Sequence, residues 1–195
     1  MWSRIALAAA LVIGAASSAV AFTPDWVRFS SKVAGPTPLR ARLAELNGVE
    51  TAPPTGTSIY GELFRPAGDG TFPAVILLHG CLGFEQYHRN WAQLLAGWGY
   101  VTLLVDSFEP RGLKQFCERT DLRAYAKTGG RMDDAFGALE YLSGQSFVDA
   151  DRVGVMGWNY TALTAVAEHG ARFYANRFRA AVALYPECGF TSSGQ

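Results

Sequence analysis

Charge is scarce in this sequence. Asp, Glu, Lys and Arg make up 17% of 195 residues, below the usual quarter, and 17 acidic side chains balance 17 basic ones. Without a basic field nothing draws in a phosphate backbone, so nucleic acid is excluded as an expected partner. Low-complexity tracts are absent and 49% of residues are hydrophobic, which excludes disorder as the main state. Histidine is equally sparse. His79, His88 and His169 lack the spacing of a ligand set such as His-Glu-x-x-His, so no metal site is expected. Past residue 21 no apolar run approaches the length of a membrane span.

The one long apolar run is at the start. Arg4 supplies a positive flank, Ile5 to Ala16 is uninterrupted, and Ala19-Val20-Ala21 has the small-x-small form of a cleavage site. Residues 1–21 are expected to be a secretory signal peptide, and the chain a periplasmic or secreted protein whose mature form does not span a membrane. Export exposes the cysteines to an oxidising compartment. There are three, so at most one bridge forms within the chain. Cys117 and Cys188 lie in loop-like stretches and are expected to pair. Cys81, inside a Gly-rich turn, is expected to be the free thiol.

Residues 22–56 are mixed and contain prolines, and read as an N-terminal arm with a helical fragment near Leu39–Leu46. From 57 to 195 the pattern becomes regular. Ser58–Phe64 alternates like a strand, and Ala74–Leu78 is a continuous apolar run, as in a strand buried on both faces. Helical spacing over Gln86–Gly97 precedes a second buried strand, Tyr100–Asp106. Met132, Ala135, Phe136, Leu139 and Leu142 mark another helix. Asp149–Arg152 reads as a turn into the strand Val153–Met156, after which a helix is expected to about Arg172. Ala180–Tyr185 is the last strand. Buried strands alternating with helices mean right-handed crossovers and a mostly parallel sheet with helices on both faces. Ligands in such sheets bind beyond the carboxyl ends of the strands.

Those ends carry the candidate chemistry. Gly157-Trp158-Asn159-Tyr160-Thr161 occupies the strand-to-helix context of a nucleophile elbow, with Asn159 at the central position. The backbone N–H of Tyr160 is placed to face a developing oxyanion, and that of Cys81, in His79-Gly80-Cys81-Leu82-Gly83, is the second donor. His79 either orders its loop or moves a proton. Arg111 either binds a substrate carboxylate or braces its own loop. Asp106 caps the loop after its strand, while His88 and His169 read as solvated helix residues.

At this point the sequence resembles the dienelactone hydrolase family of the α/β-hydrolase superfamily, in its exported bacterial form. The resemblance runs from about Tyr60 to Gly189. It rests on Val75–Gly83, on Trp98–Val101 leading to Val105-Asp106-Ser107-Phe108 and Pro110-Arg111-Gly112, and on Arg152–Trp158. It implies an eight-stranded, mostly parallel sheet, hydrolysis of small esters or lactones, and no metal or organic cofactor. The departures carry equal weight. Asn159 stands where the family has Ser or Cys, and an amide has no proton whose removal yields an attacking atom. Thr161 stands where the family has Gly. After Asn159 only Glu168, His169 and Glu187 could serve as acid or base, and none matches the family's later Asp and His. The expected fold is therefore an α/β-hydrolase lacking its last strands. Its function is ester or lactone hydrolysis at family level, with this chain inactive or impaired. Two alternatives stand beside it: a non-catalytic protein binding a small ester, lactone or carboxylate, and a gene fragment.

Overall fold

The computed structural model describes residues 23–32, 38–48, 56–115, 130–158 and 176–186. Their strands are β1 (Asp25–Ser30), β2 (Ser58–Phe64), β3 (Phe72–Leu78), β4 (Val101–Asp106), β5 (Val148–Trp158) and β6 (Ala180–Leu184). The helices are α1 (Pro38–Leu46), α2 (Gln86–Gly97) and α3 (Gly130–Ser143), with a 3₁₀ turn at Glu109–Arg111. One sheet holds the six strands in the order β1-β2-β4-β3-β5-β6. β3 pairs in parallel with β4 and β5, and β5 with β6. β1–β2 and β2–β4 are antiparallel.

Period-two alternation within the apolar strands sends side chains to opposite faces, and each face has its own core. Ile76, Leu78, Leu103, Val105, Val153 and Val155 pack under Phe136, Leu139 and Leu142 of α3. Leu77, Leu104, Met156 and Trp158 pack against Ala92, Leu95 and Ala96 of α2. The expected layers are thus observed, and β2 and α2 have the bounds read from the sequence.

Two elements differ from that reading. Asp25–Ser30, expected within an arm, is an edge strand of the sheet, registered residue by residue against β2. Its signal is short: Val27 and Phe29 face the α3 core, while Trp26 and Arg28 are exposed. Asp149–Arg152 is turn-like, since Asp149 accepts the Asp151 N–H and the Arg152 side chain. It nevertheless lies within a longer strand, β5, at a register shift against β3.

α3 meets β1 through a glycine. A Cβ on Gly137 would stand 2.2 Å from the Ser30 carbonyl oxygen, so no larger residue fits without moving backbone. Across the gap Lys32 donates its N–H to the Asp133 carbonyl, and its side chain pairs with Glu140.

Candidate active site at the strand ends

The register sets the level of the site. Leu78 pairs with Val105 on one side and Gly157 on the other, and Trp158 pairs with Leu184. His79, Asp106 and Trp158 therefore leave the sheet together. Asn159 and Tyr160 follow Trp158 directly but lie outside the described residues, as do Cys117, Thr161, Glu168, His169, Glu187 and Cys188.

His79 is fully buried and both ring nitrogens are engaged. Nε2 accepts the Ser107 N–H at 3.2 Å. That nitrogen carries no proton, so Nδ1 does, and it donates to the Gly80 carbonyl at 2.7 Å. Burial, then the Arg131 guanidinium, hold the imidazole well below the usual histidine range, which keeps this neutral tautomer at pH 7. Of the two roles open to His79, the geometry gives loop ordering. Asp106 lies 3.9 Å from Nε2 and uses Oδ1 to accept the N–H groups of Phe108 and Glu109, which is the expected cap.

Arg111 already holds a carboxylate, and it is the protein's own. Nη1 and Nη2 each meet Asp134 at 2.8 Å in a bidentate pair, and Nη1 also donates to the Ser107 carbonyl. This is the bracing alternative. Asp134 is fully buried in the first turns of α3. Burial raises its carboxyl above the ordinary range, against the opposing pull of Arg111 and the Ser107 hydroxyl. Arg131, one turn earlier, donates to the His79 carbonyl. Sequence reading missed Asp134 and Arg131. The signal for Asp134 was an acid set four and eight residues before Ala138 and Leu142, on an apolar helix face.

Two expectations are corrected here. His88 is not solvated: it is fully buried, with Nδ1 accepting the Glu85 N–H at 3.0 Å and closing the start of α2. Its ring stands nearly perpendicular to that of Trp158, centroids 4.6 Å apart. Burial pushes its pKa down to about 4. The helical spacing hid this, because His88 reaches under the strand ends rather than out from α2. Cys81 is not the free thiol either. It is disulfide-bonded, and a Cys117–Cys188 bridge would leave it no partner among three cysteines. The Gly-rich turn read as isolating Cys81 instead folds against a neighbouring loop: a Cβ on Gly83 would stand 2.6 Å from the Lys114 carbonyl oxygen. Gly83 also has φ +83°, so glycine is required there on both counts.

Beside Trp158 opens a cleft of ≈ 410 Å³, lined by Tyr87, Trp91, Trp158, Leu184 and Tyr185. It lies on the α2 side, beyond the carboxyl ends of β5 and β6, where a parallel sheet is expected to bind ligand. Its walls are aromatic, suited to an apolar or planar molecule. Among the described residues no group of three or more His, Cys, Asp or Glu side chains could hold a metal ion. Among them, too, no helix is long and apolar enough to cross a membrane.

Known proteins match over half of the chain or more. The sequence pattern of the prolyl oligopeptidase family matches residues 86–192, more than half of the chain. A probable 2-oxo-3-(5-oxofuran-2-ylidene)propanoate lactonase from Bradyrhizobium sp. is 30% identical over 53% of this chain and 43% of its own length. Dipeptidyl peptidase 8 of Mus musculus is 28% identical over 68% of this chain and 16% of its own. The chain thus spans less than half the length of these relatives. Among solved structures, esterase Est22 superposes with a TM-score of 0.59 at 15% identity, over 90% of this chain and 47% of that one. The α/β hydrolase GrgF from Penicillium sp. sh18 gives 0.55 at 18%, over 84% and 46%. These likenesses show an α/β-hydrolase fold.

Proposed function

The chain belongs to the prolyl oligopeptidase family, and on that premise we propose that its site is built for ester or lactone hydrolysis of the dienelactone hydrolase type. The substrate would be a small ester or lactone. In this family-level mechanism a nucleophile at the elbow attacks the carbonyl, and the N–H groups of Cys81 and Tyr160 receive the oxyanion. The register of β3 against β5 carries the reading. With Leu78 level with Gly157, the loop holding Cys81 begins beside the carboxyl end of β5, whose last residue precedes Asn159. An oxyanion hole built from two loops needs that juxtaposition. Resemblance to a lactonase and to esterase folds supports the substrate class.

With Asn159 at the elbow, the chain as given is impaired in that attack. A binding role is the second reading, favoured by the aromatic cleft beside Trp158, where Asn159 would hydrogen-bond a bound ester or carboxylate. Export by residues 1–21 belongs to the same proposal and is supported by the disulfide at Cys81, a bond that persists in oxidising compartments.

Turnover of p-nitrophenyl acetate by the chain and by Asn159→Ser tests the proposal. The unaltered chain is expected to show no turnover above buffer, and activity in Asn159→Ser establishes the elbow. Clear turnover by the unaltered chain overturns the assignment of impairment. A rise in melting temperature with acetate, without turnover in either form, favours the binding role.

A further inference from the structure

Arg131 reaches from the first turn of α3 to the loop that leaves β3. Its Nη2 donates to the carbonyl oxygen of His79 and lies 3.4 Å from that of Gly80. The Gly80 oxygen also takes the His79 Nδ1–H at 2.7 Å and the Gly83 N–H at 3.3 Å. Two consecutive carbonyls are thereby turned toward the buried polar network. In a planar trans peptide the N–H points opposite to the carbonyl of the same unit. The unit joining Gly80 to Cys81 therefore directs the Cys81 N–H away from Arg131 and the His79 ring. The carboxyl end of β5 borders the same loop: a Cβ on Gly80 would lie 3.8 Å from the Trp158 Cβ.

We propose that Arg131 is a positioning residue for the oxyanion hole, holding the His79 and Gly80 carbonyls inward so that the Cys81 N–H faces the reacting side. The proposal rests on the reading of Cys81 as an oxyanion donor. Its geometric part, the orientation of one peptide unit, is separable from that reading. The role belongs to the place where the planar guanidinium is held, with the single nitrogen Nη2 at both carbonyls, rather than to its charge. A lysine ammonium keeps the charge but not the planar group that lies over the Phe108 ring, 5.0 Å from its centroid, and sets Nη2 against both carbonyls.

The test follows the Cys81 amide resonance of the isotope-labelled full chain through an acetate titration, in the natural chain and in Arg131→Lys and Arg131→Met. Melting temperatures check that each variant folds, and if Arg131→Met does not, Arg131→Lys carries the test alone. Acetate is expected to shift the Cys81 resonance in the natural chain. Both variants should weaken the apparent affinity about tenfold, on the order of one lost charge-assisted hydrogen bond. If Arg131→Lys titrates like the natural chain, charge and not positioning accounts for the effect, and the proposal is overturned. If acetate leaves the natural chain's Cys81 resonance unmoved, the oxyanion reading fails. Positioning is then decided by the Cys81 amide exchange rate without acetate. A change of about tenfold in Arg131→Lys upholds it, and an unchanged rate overturns it.

Discussion

Lowering the pH from 7.5 to 5 should destabilise this protein through two neutral, buried histidines. An unfolded histidine titrates near 6.5, whereas the folded His88 titrates at about 4 and His79 well below the usual range. Between those limits the unfolded chain binds protons that the folded chain refuses. Stability from each histidine is therefore complete above about pH 6.5 and is lost as the pH falls toward the folded value. For His88 alone the loss by pH 5 is about 2 kcal/mol, and the slope approaches roughly 1.4 kcal/mol per pH unit. His79 adds a loss of the same sign. The charges around the pair, Arg131 and Arg89, deepen the depression. Asp134 acts oppositely, because its raised carboxyl takes a proton more readily when folded. Urea unfolding at half-unit pH steps, for the natural chain and His88→Asn, isolates the His88 share. Asn presents an oxygen where Nδ1 accepts the Glu85 N–H, so it keeps the contact and removes the titration. His88→Asn should flatten the pH dependence by about one proton's slope, with Asp134 common to both chains. Parallel curves for the two proteins would refute the reasoning.

Further outcomes follow from close contacts and buried charge. Gly137→Ala should cost about 1–3 kcal/mol in urea unfolding, because the overlap with the Ser30 carbonyl exceeds the ~1 kcal/mol gained in helix propensity. Arg89→Met strands the carboxylate of Glu62, itself 2% exposed and held by three hydrogen bonds, and should cost about 3–5 kcal/mol. Replacing both partners, with Glu62→Met added, should recover most of that loss, and no recovery would count against a desolvation origin. Reduction of the Cys81 disulfide should lower stability by about 2–4 kcal/mol. Thiol titration of denatured Cys117→Ser and Cys188→Ser identifies the partner. The variant that lacks it exposes both remaining thiols, and the other exposes none.

Much of the sheet was legible because apolar runs and their punctuation are local. Ala74–Leu78 and Tyr100–Asp106 announce buried strands, and Gly97 and Gly99 mark the end of α2. β1 was less legible, since an edge strand shows alternation at only Val27 and Phe29. The site was legible as a place, the strand ends, but not as a set of contacts. Arg111 left two roles open, and only its approach to Asp134 selects bracing. His88 sits at a helix position whose spacing gives no hint that Trp158 covers it. Cys81 was misjudged because pairing depends on which loops meet, and loop contact has no sequence period.

Sequence alone determined the layering, the alternation of strands and helices from Ser58 to the end of β5, and which residue follows Trp158, Asn159. These follow from periodicity and residue type, which act over a few neighbours. Tertiary structure alone decided which charges pair, which histidines are stripped of water, and how the loop after β3 is held. Those outcomes depend on groups far apart in the chain: Arg131 lies about fifty residues from the Gly80 carbonyl beside it, and Glu62 nearly thirty from Arg89. Once burial removes water, such groups must find partners in the protein, and only the completed sheet brings them within reach.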